Sequence, residues 1–474
     1  MSEYRHGAFA DQVDSQDYTS PSGVGTIPVY VGRAPVHQLA EYAGKTNVPI
    51  LISSWQDGVR KIGYSEAWAD YDLSEVLYAH FRNDVNSVGP IVVINALNPN
   101  DKKNEAPQTA TVNFVKKTAV LSNPKVILST IEITGKELDV DFSAAYSDDG
   151  LTVVIKDLKG GLVSAEVKFY EVDPNGVSDT DIITAINTGV SKVYYDLSKV
   201  PTILAAPGWS DHQIVFAALV AMLDKINGHW YAWLNADLDC STIKTIDAAI
   251  EAKEAYETTT GAAGLLWPMA KKGNRKFHAS TLNTVTMQWV DFQNNNLPYE
   301  TPSNKQIDID SLCLADGTAI QYDQTEANRL NAKGINTMTY WEGTWRMWGP
   351  HTMKYSVDAN INARDVFDCN VRMLRYINNA FQRTYGLEVD KPMPRGRKDS
   401  ILNDFQAWLD GLVQDDALLL GTVEFVANDN PVSDLVQGNF VFSGEFTNPV
   451  PGKSLTSKMR WTSRGLNAMF GGES

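Results

Sequence analysis

The sequence predicts an α/β protein carrying an inserted small β-sandwich, with an α+β region towards its C-terminal end. Three features lead to this reading. Residues 202–239 spell a strand, a turn, a helix and a second strand. Residues 110–172 are β-rich and cut by turn signals about every ten residues. Two amphipathic helices follow residue 360.

In the first feature, an apolar run from Thr202 to Ala206 breaks at Pro207-Gly208. Ser210 and Asp211 stand where a helix N-cap and its first-turn acid belong. Ile214, Val215, Ala218, Leu219, Met222, Leu223 and Ile226 recur at helical spacing, and Gly228 closes the helix. A second apolar run, Trp230 to Leu234, leads to Asp237 and Asp239. Such a βαβ unit demands a parallel sheet at the centre.

Ser210, Asp211 and His212 supply every residue type of a hydrolase triad. Consecutive positions at a helix start point about 100° apart, however, and cannot converge on one proton path. A nucleophile elbow would also need glycine where His212 stands. The expected role of these residues is structural.

A chain of 474 residues suggests about three domains. Its net charge of −16 argues against nucleic acid or an anionic membrane as the main partner. Cys240, Cys313 and Cys369 are odd in number and far apart, which suits a reducing compartment without disulfides or a CxxC metal site. The seven histidines (6, 37, 80, 212, 229, 278 and 351) show no metal-ligand spacing, and a GxxxxGK[ST] loop is missing, so neither metal nor cofactor is expected. No signal peptide or bilayer-length apolar helix is visible, and synthesis in the cytosol is expected.

In chain order, residues 1–24 form a polar arm with apolar points at Phe9, Val13 and Tyr18 and one potential strand. Residues 25–98 are an α/β segment: strands at 26–31 and 49–55, a helix opening at Asp72, and a buried strand at 90–94. Residues 99–178 are the sandwich, with strands expected at TVNFV, VILSTI, LDVDF, LTVVI and VKFYEV. Asp173-Pro174-Asn175-Gly176 invites a calcium-loop reading, but the glycine falls two places early and the closing Glu is missing. A turn is expected.

The α/β pattern resumes over 179–352, with a helix at 241–258 and a Trp-rich tract at 340–352. Trp341, Trp345 and Trp348 beside Glu342 would suit a glycan cleft, but a glycosidase needs a second carboxylate and none is identified. Residues 353–451 start with a long helix at 363–385, whose buried face would be Phe367, Val371, Leu374, Ile377 and Phe381. A basic loop, KPMPRGRK, then precedes a helix capped by Asp399. Over 383–398, Arg383, Lys391, Arg395, Arg397 and Lys398 oppose Glu388 and Asp390, five minus two, or +3. It reads either as a solvated turn or as a docking patch for an acidic partner. Strands at 418–426 and 439–446 follow, then a break at 448–453 containing Pro449, Pro451 and Gly452. Residues 452–474 hold a last strand-like piece, LTSKMRW.

A tethered strand leaves its backbone groups unpaired unless it joins a sheet edge. One at each end implies exchange between copies, and contacts without two-fold symmetry build rings or helices.

The pieces TIPVYVGRAP, the strand–APGWS–helix unit, MWGPHT and the order helix, helix, ALLLGTVEF, NFVFSGEF, closing strand resemble a contractile phage tail sheath protein, of a myophage tail or an R-type bacteriocin. The resemblance covers nearly the whole chain and is weakest in the sandwich. It implies a subtilisin-like central domain without a working triad, and hexameric rings stacked helically on a tail tube. It also implies contraction that drives the tube through the host envelope, and a location in the virion after assembly in the host cytoplasm. Implied partners are the chain itself, the tube protein, and the baseplate and terminator proteins. Carried onto this sequence, strand exchange would centre on Phe9 and Val13 at one end and Met459 and Trp461 at the other. Pro449, Pro451 and Gly452 would be the hinge, and the C-terminal basic residues would face the tube. Gly7-Ala8-Phe9 departs from the family's usual Pro-Gly-Val-Tyr opening of the arm. The competing readings are a serine or glycoside hydrolase using Ser210 or the 341–348 tract, and a glycan-binding module on the same tract.

Overall fold

The computed structural model describes residues 25–254, 256 and 260–470, so the arm strand expected at Phe9 and Val13 lies outside the described residues. Strand β1 (Pro28–Gly32) is buried at every position, as an apolar run without alternation requires when both sheet faces are covered. β2 (Pro49–Ile52) stops short of Trp55, because the Ser54 side chain accepts the Asp57 N–H and caps α1 (Trp55–Ile62). α2 (Asp72–Phe81) opens at Asp72 and buries Leu73, Val76, Leu77 and His80. β3 (Ile91–Asn95) is buried throughout.

The insert holds β4 (Gln108–Asn113), β5 (Thr118–Leu121), β6 (Glu132–Ile133), β7 (Phe142–Tyr146), β8 (Val153–Asp157) and β9 (Ser164–Phe169). They form two antiparallel three-stranded sheets, β4-β9-β6 and β5-β8-β7. The sheets enclose Val126, Ile133, Phe142, Val153, Ile155 and Val167. Two expected strands differ. VILSTI contains a 3-10 turn, Leu128–Thr130, and only the last residue of LDVDF is in a strand. β5 has no counterpart among the expected strands, because TAVL is only four residues long. Asp173 caps the turn Pro174–Gly176 by accepting from Asn175 N, so it is a turn as expected.

α3 (Asp179–Gly189) begins with a capping box of Ser178 and Asp181, followed by α4 (Val193–Leu197) and β10 (Ile203–Ala205). α5 (Gln213–Ala221) is shorter than the periodicity suggests: His212 is its N-cap residue, Ile214 is exposed, and the chain leaves the helix before Leu223 and Ile226. Those two residues are buried by the turns that follow. Next come β11 (Trp233–Asp237) and α6 (Ile246–Glu254), which starts five residues later than expected because Ser241 and Thr242 are tied to the Asp239 carboxylate in a turn. β12 (Ala263–Leu266), β13 (Met269–Lys272), β14 (Arg275–Phe277), α7 (Ala279–Gln293), β15 (Ser311–Cys313), β16 (Ala319–Ile320), α8 (Gln324–Asn331), β17 (Ile335–Trp341) and β18 (Thr344–Trp348) complete this region.

The eight-stranded main sheet has the order β18-β17-β12-β11-β10-β1-β3-β2. β17 to β3 are parallel, and β18 and β2 close the edges antiparallel. Strands from residues 25–98 and from 179–352 therefore share one sheet, and the sandwich interrupts it in sequence only. A smaller sheet, β14-β13-β15-β16, flanks it.

After the main sheet, a 3-10 turn, Ala363–Val366, leads to α9 (Asp368–Tyr385). Val371 and Ile377 are buried as expected, while Phe367, Leu374 and Phe381 are only half-buried. α10 (Arg395–Gln414), β19 (Leu420–Glu424), α11 (Val432–Val436), β20 (Ser443–Thr447) and α12 (Arg464–Phe470) end the described chain. Among the described residues no helix is long and apolar enough to cross a membrane.

Candidate assembly site

β19 and β20 form a sheet of only two strands, packed by Val423, Phe442 and Phe446 against α9 and α10. Its β19 edge is engaged: the Gln406 amide donates to Gly421 O at 2.9 Å and accepts from Val423 N at 2.9 Å. Among the described residues, β20 has no second strand beside it.

The chain leaves β20 through Asn448, which is buried and donates to Asn370 Oδ1 at 3.0 Å. Five residues on, Lys453 Nζ lies 3.2 Å from the Tyr355 hydroxyl and 5.3 Å from its ring centre. The segment expected to be a hinge, with Pro449, Pro451 and Gly452, is thus pinned at both ends. Beyond it, residues 454–466 are exposed and residues 455–461 are in no sheet. Leu455, Met459 and Trp461 are 92%, 92% and 81% exposed. Apolar side chains are thus exposed on a backbone that has no sheet partner among the described residues.

The basic loop is not a loop over its whole length. Pro394 is the N-cap residue of α10, so Arg395, Arg397 and Lys398 fall in the first turn and Asp399 is inside the helix rather than its cap. Cations at a helix N-terminus oppose its dipole, and local acids offset them. Lys391 Nζ lies 2.8 Å and Arg397 Nε 3.4 Å from Glu388, and Asp399 takes both Lys398 and, at 3.6 Å, Arg395. Arg383 and Arg395 are exposed.

Ser210 does not cap α5. Its buried hydroxyl accepts from Asp237 N at 3.0 Å, tying the turn after β10 to the end of β11. His212 faces elsewhere, with Nδ1 2.6 Å from Asp179 Oδ1. Ser210, Asp211 and His212 therefore form no relay. Nearby, the fold assembles a cluster from distant sequence positions. Glu75 accepts from His278 N at 2.8 Å and lies 2.8 Å from His278 Nδ1, while Asp237 accepts from Ser280 N and Ser280 Oγ. Asp72 holds Arg33 and the Trp209 indole N–H at 2.9 Å. Burial opposes the His278 charge, but Glu75, Asp237 and Asp211 outweigh it and raise its pKa to about 10. Burial raises Asp237 to about 6 against the pull of His278. Glu75 on α2 and Asp237 on β11 both hold the start of α7, so the cluster is a clasp joining the three elements.

In the Trp-rich tract, β17 and β18 form a hairpin with Glu342 and Gly343 at its tip, both at positive φ. The Trp345 indole donates to Asp310 O at 3.0 Å and that of Trp348 to Asn328 Oδ1 at 3.2 Å. Trp341 is half exposed beside an exposed Glu342, on a protruding turn rather than in a cleft.

No protein-family profile and no curated protein matches the chain. Solved structures do match. The sheath of an extracellular contractile injection system, in its contracted state, shares 13% identity with a TM-score of 0.58 over 97% of this chain and 100% of its own. The contracted helical sheath of the anti-feeding prophage shares 14% identity with a TM-score of 0.58, over 96% of this chain and 99% of its own. The sheath tail protein of Desulfitobacterium hafniense shares 12% identity with a TM-score of 0.53, over 88% of this chain and 93% of its own. The fold is similar to that of these contractile sheath proteins over most of the chain.

Proposed function

We propose that the chain is the structural subunit of a contractile tail sheath. It polymerises as hexameric rings stacked helically around a tail tube, exchanges terminal strands between copies, and contracts to drive the tube through a target envelope. The observation that carries this reading is the C-terminal arm: an exposed, apolar-bearing segment, unpaired among the described residues, on a fold similar to that of a sheath protein over 97% of the chain. Met459 and Trp461 would be seated in a neighbour's sheet, and Phe9 and Val13 would do the same from the other end. The pins at Asn448 and Lys453 favour a hinge between them, at Pro449, Pro451 and Gly452, as the site of rotation during contraction.

Without a nucleotide, the work of contraction comes from the lattice. The extended state is kinetically trapped, and the contracted state gains intersubunit contacts as subunits repack as rigid bodies. Arg383, Lys391, Arg395, Arg397 and Lys398 would face the tube, and the ends of the sheath would meet baseplate and terminator proteins. A virion or particle tail is the corresponding location, reached after assembly in the producing cell.

The test is electron microscopy of the purified chain. Rings or tubes are expected from the intact protein and monomers from a chain lacking residues 453–474. Monomers from the intact chain at high concentration would refute the reading. Retained assembly with an activity lost in Ser210→Ala or Glu342→Ala would favour a hydrolase instead.

A further inference from the structure

Charge is sharply divided across the C-terminal region. Residues 399–452 contain nine acids (Asp399, Asp404, Asp410, Asp415, Asp416, Glu424, Asp429, Asp434, Glu445) and neither Lys nor Arg. Residues 453–464 contain Lys453, Lys458, Arg460 and Arg464 and no acid. A cationic tether thus leaves an acidic sheet within one chain of charge −16.

The two surfaces also match in the order of their side chains. Side chains alternate along an extended segment. Over residues 455–461, Leu455, Met459 and Trp461 therefore fall on one side, and Lys458 and Arg460 on the other. The β19–β20 sheet is divided in the same way. Thr422 pairs with Glu445 and Glu424 with Ser443, so Glu424 and Glu445 are diagonal neighbours on the exposed face. Among the described residues neither has an ion-pair partner within 4 Å. Lys398, the cation nearest to Glu424 in sequence, is taken by Asp399 and lies 5.1 Å from the Phe425 ring. Behind β20, Phe381, Phe405, Phe442 and Phe446 supply the apolar side of a groove of about 220 Å³ that Glu445 also lines.

We infer that the open β20 edge takes the 455–461 segment of a second copy in one facing only, with Lys458 and Arg460 against Glu424 and Glu445, and with Met459 and Trp461 in the groove. The inference rests on the exchange reading above and adds what selects the facing. A slip of one residue would set Lys458 and Arg460 into the groove and Met459 and Trp461 beside the two glutamates. Like-charge repulsion between Glu424 and Glu445 is relieved only when a neighbour's arm arrives, so assembly is steered by ionic strength.

The test uses charge exchange in the full chain, read as the protein concentration at which rings form. Lys458→Glu with Arg460→Glu should raise that concentration by at least about tenfold. Adding Glu424→Lys and Glu445→Lys to the same chain should restore it. For the wild type, raising salt towards 1 M should also raise it, as screening shortens to about 3 Å. Wild-type assembly by the Lys458→Glu, Arg460→Glu chain, or no rescue in the four-site variant, overturns the charge pairing. If the chain lacking residues 453–474 still assembles, it is the exchange reading that fails.

Discussion

Replacing Glu75 by Gln should cost the protein roughly 3 kcal/mol at pH 6 and almost nothing near pH 10. The Glu75 side chain is 2% exposed and His278 is 23% exposed, at 2.8 Å. His278 titrates near 10 against an ordinary 6.5. At 1.36 kcal/mol per pKa unit that displacement is worth about 5 kcal/mol, and the shares of Asp237 and Asp211 together with solvent reaching the imidazole leave roughly 3 for Glu75. Gln keeps the hydrogen bond to His278 N and removes the charge and the acceptor facing His278 Nδ1. A raised histidine stabilises the folded chain fully below pH 6.5 and loses that contribution as pH climbs through 10. The wild-type denaturant midpoint should therefore fall over this window, and the Glu75→Gln curve should be flatter and meet it at the alkaline end. Asp237, held near 6, adds a decline between about pH 4 and 6 that both proteins share. A constant offset from pH 6 to 10 would show that Glu75 acts through packing and not through its charge.

Phe142 is fully buried in the sandwich core, and Phe142→Ala should cost about 3–5 kcal/mol there, seen as protease cleavage within residues 108–169 while the main sheet stays intact. Gly150 has φ +65°, and a Cβ there would lie 2.1 Å from Tyr64 O. Gly150→Ala should lower the melting temperature, with a strain of about 1–3 kcal/mol before any shift of the backbone it strikes. Reversing Arg395 and Arg397 to Glu should weaken co-sedimentation with an acidic tube and leave sheath–sheath contacts in place. Unchanged tube binding would remove the tube-facing assignment.

The sequence by itself determined the elements whose information is local. β1 and β3 are unbroken apolar runs because both their faces are covered, and the turn at Asp173 is decided by Asp, Pro and Gly within four residues. The exposure of residues 455–461 follows a Pro-Gly break that is likewise written in consecutive residues. Ser210 looked like a cap because it precedes a helical pattern, yet its hydroxyl meets a backbone N–H 27 positions away. KPMPRGRK looked like a loop because of its prolines, yet Pro394 starts a helix, where a missing N–H costs nothing. The clasp of Glu75, Asp237 and His278 left no signal, since its members are more than 40 residues apart from one another and only the strand order brings them together. Local backbone preference is set by a residue and its neighbours. Pairing between distant residues is set by which surfaces the closed sheet leaves facing each other, and that is fixed only once the chain has folded.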